Sequence, residues 1–370
     1  MAPPVGPRPG FHHPASRPTT ELDLFRQRLQ SPLVPSPVSR HERWKLALSG
    51  GRVAAALAVI LTAVGAAEAR GELARTAARG GGHRTAARAL MTSADGALER
   101  GTAARWIDRA TLRTAVAAIA ERDRAEVGLA VRSLGSGSLV TAGDLMTASA
   151  WSTIKVPIVL ARYRLADEQR QANRASIGAL AKQALTASDN AAGAQLFAEI
   201  EAATGGLAPA SRFVGRELTA AGDDRTRINT VDPDNGFSTY GQTQWSLAAG
   251  TQFFRQLARG CVPPHDETGY VLALMAEIIP SQRWGVGSVQ WPRGAAVQFK
   301  GGWGPDKNGD YLVRQFGIIE GGDDRGVVVG LLAHPDDGQF ETGVHVLDQL
   351  ATAVARSLHI ARTSVYSSCR

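Results

Sequence analysis

Three short stretches of this 370-residue chain hold side chains whose types and order suit acyl transfer: Ser152-Thr153-Ile154-Lys155, Ser188-Asp189-Asn190 and Lys300-Gly301-Gly302. A serine hydroxyl is a poor nucleophile until a base removes its proton. On a helix, a lysine three residues after a serine lies on the same face one turn on, so Lys155 can reach Ser152. To act as that base Lys155 must be neutral part of the time, which burial and a second cation bring about by lowering its pKa, and Lys300 is the candidate second cation. Ser188 can relay a proton to a leaving group, and Asn190 offers an amide that orients both a substrate carbonyl and Lys155. The backbone N–H groups of Ser152 and Trp303 are candidates for an oxyanion hole, with Gly302 beside Trp303 in the same substrate-binding stretch.

Alone, an S-x-x-K is expected about once by chance in a chain this long, and Ser152 then reads first as a helix N-cap. Ser188-Asp189-Asn190 alone reads as a turn or cap. The basic residues add a further clue. They are overwhelmingly arginine, with lysine only at Lys45, Lys155, Lys182, Lys300 and Lys307. Arginine cannot be deprotonated, so Lys155 stands where proton transfer requires a lysine.

The elements that must position these residues begin near Ala103. Leu112, Val116 and Ile119 recur at helical spacing, and two strand-like runs, Val127 to Val131 and Ser138 to Val140, flank the turn residues Gly135 to Gly137. Ser152 to Asp167 reads as a helix with Val156, Val159, Leu160 and Tyr163 spaced for burial; Pro157 is tolerated there only in the first turns, which puts Ser152 at or near the N-terminal end. Backbone N–H groups and the positive end of the helix dipole then face any charge that develops on a bound carbonyl. Residues 177 to about 257 read as helices and loops. Ala296 to Lys300, Tyr311 to Ile319 and Gly326 to Ala333 read as three more strands, and Glu341 to Leu358 as a closing amphipathic helix. Five strands with a helix at each end around a helical insert make an α/β body of two lobes.

Ahead of this body, residues 1–45 are broken by prolines among polar and basic residues and read as a disordered tail. Residues 46–69 contain the uncharged run Val53 to Ala67, which reads as an export signal or membrane anchor, with Ala67-Glu68-Ala69 as an A-x-A cleavage pattern; a buried alanine-rich helix is the alternative. Residues 70–102, rich in Ala, Arg and Gly, read as a linker, 103–362 as the catalytic domain and 363–370 as a tail. A net charge of +7 raises the question of nucleic acid, but the basic residues are scattered and no motif supports that partner. Cys261 and Cys369 lack metal-ligand spacing, so no metal or other cofactor is called for; export permits a bridge between them, which sequence alone does not show.

Taken together, the three motifs resemble those of class A β-lactamases and the related penicillin-binding proteins. The likeness extends to Leu145 to Asp167 around the nucleophile and to Leu185 to Leu196 around the second motif, and in order of elements it runs from about Ala103 to Leu358. The resemblance implies an antiparallel five-stranded sheet flanked by helices with an all-helical lobe. It also implies a cell-envelope enzyme that opens β-lactams or cleaves peptidoglycan peptides through an acyl-serine, without a metal. Three departures stand out. Ser152 and Ser188 are only 36 positions apart (188 − 152), which shortens the helical lobe and opens the cleft. Gly301 replaces the hydroxyl residue of the third motif, for which Arg314 on the next strand is a candidate substitute in holding a substrate carboxylate. In the place of the glutamate that activates the hydrolytic water stands Asp232, within Thr230-Val231-Asp232-Pro233-Asp234-Asn235, as water-holding base or as loop cap. The competing readings are a cell-wall peptidase or amidase inhibited by β-lactams, and a non-catalytic envelope protein that keeps the fold as a binding module.

Overall fold

The computed structural model describes residues 106–231 and 236–369. The expected tail, apolar segment and linker of residues 1–102, and the candidate Asp232, lie outside the described residues.

The body starts with α1, Arg109–Asp123, whose first free N–H groups are capped by the Asp108 carboxylate at 3.1 Å from the nitrogens of Ala110 and Thr111. Strands β1, Ala125–Ser133, and β2, Leu139–Gly143, follow as the expected hairpin. Gly137, at φ +72°, takes a turn conformation that other residues adopt at a cost. The short strand β3, Thr147–Ser149, leads into a 3-10 turn, Trp151–Ile154, that runs directly into α2, Lys155–Glu168. Then come α3, Arg174–Thr186; α4, Asn190–Thr204; α5, Leu207–Ala220; β4, Gln244–Ser246; α6, Leu247–Ala258; and α7, His265–Ala276. Strands β5, Ala296–Pro305; β6, Tyr311–Gly321; and β7, Arg325–Pro335 precede the closing helix α8, Phe340–Ser357.

All neighbours in the main sheet are antiparallel, in the order β2-β1-β7-β6-β5, so β5, which carries Lys300, is an edge strand. The sheet is covered on both faces, and alternate residues of each strand therefore enter different cores. In β7, Val327, Val329, Leu331 and Ala333 join α1 and α8 on the outer face, whereas Val328 and Leu332 face the helical lobe. That is why this strand is an almost unbroken apolar run. Helix α2 is apolar on nearly every side rather than on the single stripe expected, with 11 of its residues buried, because α4, α5, α3 and α7 surround it. Only α2, a short turn and α3 fill the interval between Ser152 and Ser188, which is the shortened lobe expected.

Residues 363–369, set apart in the sequence as a tail, lie along the body. Thr363 is buried, the Tyr366 N–H donates to the Asp324 carbonyl at 2.9 Å and that of Cys369 to the Arg259 carbonyl at 2.8 Å. A disulfide joins Cys369 to Cys261 just beyond α6.

Candidate active site

The turn before α2 places Ser152. Trp151 has φ +46°, a left-handed conformation costly for a bulky aromatic residue, and the Thr153 hydroxyl closes the turn on the Ala150 carbonyl at 2.5 Å. Ser152 is partly exposed there, at the N-terminal end of the helical segment as expected. Edge strand β5 lies directly on the turn. A Cβ at Gly302 would sit 2.9 Å from the Ser152 nitrogen and the Ala150 carbonyl oxygen. Gly302 thus permits the close approach of two backbones and brings the next residue, Trp303, beside the nucleophile. The Trp303 indole turns to the outer face, against Phe340 and Trp284.

The second motif is a bend whose residues divide the work. Ser188 has φ +56°, the Asp189 carboxylate caps α4 by accepting from the Ala192 N–H at 2.7 Å, and Asn190 opens that helix. Gln282, in the 3-10 turn Pro280–Gln282 after α7, supports the bend by donating to the Ala187 carbonyl at 2.8 Å.

The two lysines converge on this bend. Lys155 Nζ donates to the Ser188 carbonyl at 2.6 Å and to Asn190 Oδ1 at 2.8 Å, while Lys300 Nζ donates to Ser188 Oγ at 2.7 Å and to the Gly301 carbonyl at 2.9 Å. Lys155 is 2% exposed and Lys300 0%. Burial lowers the Lys155 pKa to about 7, with the Asp189 carboxylate opposing the shift. Burial also holds Lys300 well below the ordinary lysine value, helped by the Lys155 charge. Of the two expected causes, desolvation dominates at both lysines, and the repulsion between the lysines falls on Lys300 rather than on Lys155.

Two residues supporting this arrangement escaped sequence reasoning. Gly193 on α4 leaves space for the Lys155 stem, since a Cβ there would lie 2.8 Å from Lys155 Cε. A glycine inside the helical pattern following Asn190 was its signal. Gln282 gave none.

Arg314 does not hold a substrate carboxylate. It is fully buried, and its guanidinium donates to the carbonyls of Ala148 at 2.9 Å, Ser149 at 3.0 Å and Trp245 at 3.2 Å. Its place in the sheet explains the difference: Arg314 pairs with Gly302 and shares the face of Lys300, but β6 lies one strand in from the edge, where the β3–β4 ribbon covers that face and takes the guanidinium. Gly301 faces the other way, where a Cβ would meet the Trp284 indole at 2.5 Å. The stem of the loop that contains Asp232 is held against the same ribbon: the Asn229 N–H donates to Thr243 Oγ1 at 3.0 Å, and the Thr243 carbonyl accepts from the Ala150 N–H at 2.7 Å.

The antiparallel five-stranded sheet, the helical lobe and the place of the three motifs between them can be set against known proteins. No family model matches the chain, and no curated protein matches it. Solved structures do. A β-lactamase from Burkholderia vietnamiensis superposes with a TM-score of 0.53 at 18% identity, over 66% of this chain and 95% of its own. One from Xanthomonas campestris gives 0.53 at 19%, over 67% and 98%. A class A β-lactamase from Mycobacterium abscessus gives 0.53 at 15%, over 66% and 98%. The described body has the class A β-lactamase fold. At these identities the likeness is one of fold, and the chemistry rests on the side chains described above.

Proposed function

We propose that the protein is an exported serine hydrolase, acylated at Ser152, that acts on β-lactams or related cell-wall peptides. One observation carries the reading: Lys155, buried one turn beyond Ser152, has its amine held on two fixed acceptors, the Ser188 carbonyl and Asn190 Oδ1. A neutral amine has two N–H donors and one lone pair. With both donors so used, the lone pair is left to act as the base in the proposed reaction. With a pKa of about 7, that neutral form is well populated at neutral pH.

In the acylation step Ser152 Oγ bonds to the substrate carbonyl carbon as Lys155 takes its proton, and the oxyanion faces the N–H groups of Ser152 and Trp303. Collapse breaks the carbon–nitrogen bond, Ser188 Oγ gives its proton to the leaving nitrogen, and protonated Lys300 returns one to Ser188 along their 2.7 Å hydrogen bond and is itself recharged from solvent; the proton held on Lys155 goes back to Ser152 Oγ when the acyl group leaves. Water then releases the acyl group, with Asp232 the candidate base. Export is supported by the Cys261–Cys369 disulfide, since such bridges persist in oxidising compartments. The apolar run within residues 46–69 would carry the chain across, or hold it at, the membrane.

The test is intact-mass measurement of the purified protein after incubation with a penicillin, with hydrolysis followed in the same sample. Turnover without accumulation supports a β-lactamase, and Ser152→Ala abolishes it with the fold intact. A second reading, a cell-wall peptidase or amidase inhibited by β-lactams, is favoured by Asp232, one methylene shorter than the glutamate of the resembling enzymes. It predicts a lasting adduct on Ser152. Neither adduct nor turnover, across several β-lactams, supports a non-catalytic binding module instead.

A further inference from the structure

The site described so far accounts for the two lysines but not for the third buried cation beside it. We propose that Arg314 is a positioning residue for the nucleophile: its guanidinium fixes the end of the β3–β4 ribbon, and with it the distance between the Ser152 N–H and the edge of β5. This rests on the acyl-serine reading above and deepens it.

The geometry is specific. Nη1 binds Ala148 and Ser149, the last two residues of β3, and both Nη1 and Nη2 bind Trp245 on β4. One planar fork therefore clasps both strands of a ribbon only three residues long on each side. Two residues beyond the clasp the chain enters the strained Trp151 turn, which persists only where its surroundings over-determine it. The other end of Arg314 is built into β6 opposite Gly302, where an added Cβ would lie 2.9 Å from the Ser152 nitrogen. A single residue thus ties the approach to the nucleophile and the strand edge facing it to one frame. Among the described residues, no carboxylate balances the charge within this clasp. Carbonyl dipoles do, together with the rings of Phe316, 4.8 Å from the guanidinium carbon, and Trp245 at 6.0 Å.

A residue that holds a substrate carboxylate and one that sets an oxyanion hole differ in what their loss affects. Two acyl donors distinguish them: a penicillin, which carries a carboxylate, and its methyl ester, which does not. In Arg314→Lys, acylation of Ser152 by both donors is expected to slow by the same factor, about 10- to 100-fold. Apparent affinities should stay within threefold of wild type, and the pH midpoint set by Lys155 should not move. Phe316→Leu removes the ring beneath the guanidinium while keeping the arginine and the carbonyls. It should show the same pattern more weakly, and it serves as the test if Arg314→Lys gives no cooperative melt. Selective loss of the carboxylate donor, or wild-type acylation by both variants, overturns the inference and leaves the acyl-serine reading standing. If wild-type protein is labelled at Ser152 neither by the two donors nor by a fluorophosphonate, the acyl-serine reading falls and this inference with it.

Discussion

Gly193→Ala separates the demands of the helix from those of the site. Gly193 lies in the interior of α4, where replacing glycine by alanine favours the helix by about 1 kcal/mol. The added methyl, however, would lie 2.8 Å from Lys155 Cε, 3.3 Å from Cδ and 3.5 Å from Cγ. Ordinary contact begins at about 3.4 Å, so Cε must move by roughly 0.6 Å. It has little freedom to do so, because Lys155 is enclosed on all sides and its amine is held by two short hydrogen bonds. Lengthening those bonds weakens interactions worth about 1.5–3 kcal/mol each when charged, and turns the lone pair away from Ser152. Stability should therefore change by less than about 1 kcal/mol while Ser152 acylation falls about 10- to 100-fold, with unchanged donor affinity. The assay pairs a thermal melt with the rate of adduct formation by a fluorescent penicillin. A stable Gly193→Ala protein that acylates at the wild-type rate would refute both the placement of Lys155 and its role as base.

The remaining expectations follow from titration and covalent closure. Acylation should rise with pH through about 7 as Lys155 loses its proton, and Lys155→Met should abolish that dependence together with the activity. Stability shows a linked effect: the folded-state pKa of Lys155 lies below its unfolded value of about 10.4, so between these limits the unfolded chain binds more protons. Unfolding free energy should thus increase from about pH 7 toward pH 10, by on the order of 4 kcal/mol for this group, Lys300 acts in the same sense, and Lys155→Met should flatten the curve in denaturant titrations. Cys261→Ser removes a bridge between residues 108 apart and should cost about 3–5 kcal/mol. Limited proteolysis should then release residues 363–369, while Ser152 acylation at low temperature stays near wild type, since the disulfide lies away from the site.

The main sheet and its flanking helices were legible because alternation and helical spacing are local signals, and its five strands differ from the sequence reading only in their ends, whereas the three-residue strands β3 and β4 were too short to show a pattern. Ser152, Lys155, Ser188, Asn190 and Lys300 were legible because acid–base chemistry restricts each to a few residue types in a fixed order. What sequence misassigned depended on which way a side chain faces and what it meets there. Arg314 lies on the expected strand and on the face of Lys300, but the β3–β4 ribbon, which local pattern did not reveal, covers it there. The stretch after Arg362 carried no periodic pattern, and only a disulfide and three-dimensional contacts show it as part of the body.

The backbone gives an independent argument for where the function lies. Six non-glycine residues among those described have positive φ: Arg124, Trp151, Arg170, Ser188, Asp323 and Asp324. Arg124 and Arg170 follow helix ends, and Asp323 and Asp324 form the turn between β6 and β7, places where such conformations are ordinary and solvent-facing. Trp151 and Ser188 differ in being buried, although Ser188, one residue beyond the C-cap of α3, also follows a helix end. One immediately precedes the nucleophile, and the other is the serine on which the two lysines converge. Strain of about 1–3 kcal/mol at each is stable only because neighbouring groups hold it: Gly302 and the Arg314-clasped ribbon at the first, Gln282, Lys155 and Lys300 at the second. A fold kept solely as a scaffold would be free to relax both positions. Their presence, together with a lysine of pKa about 7 between them, supports the proposed nucleophile over a binding module on the same frame.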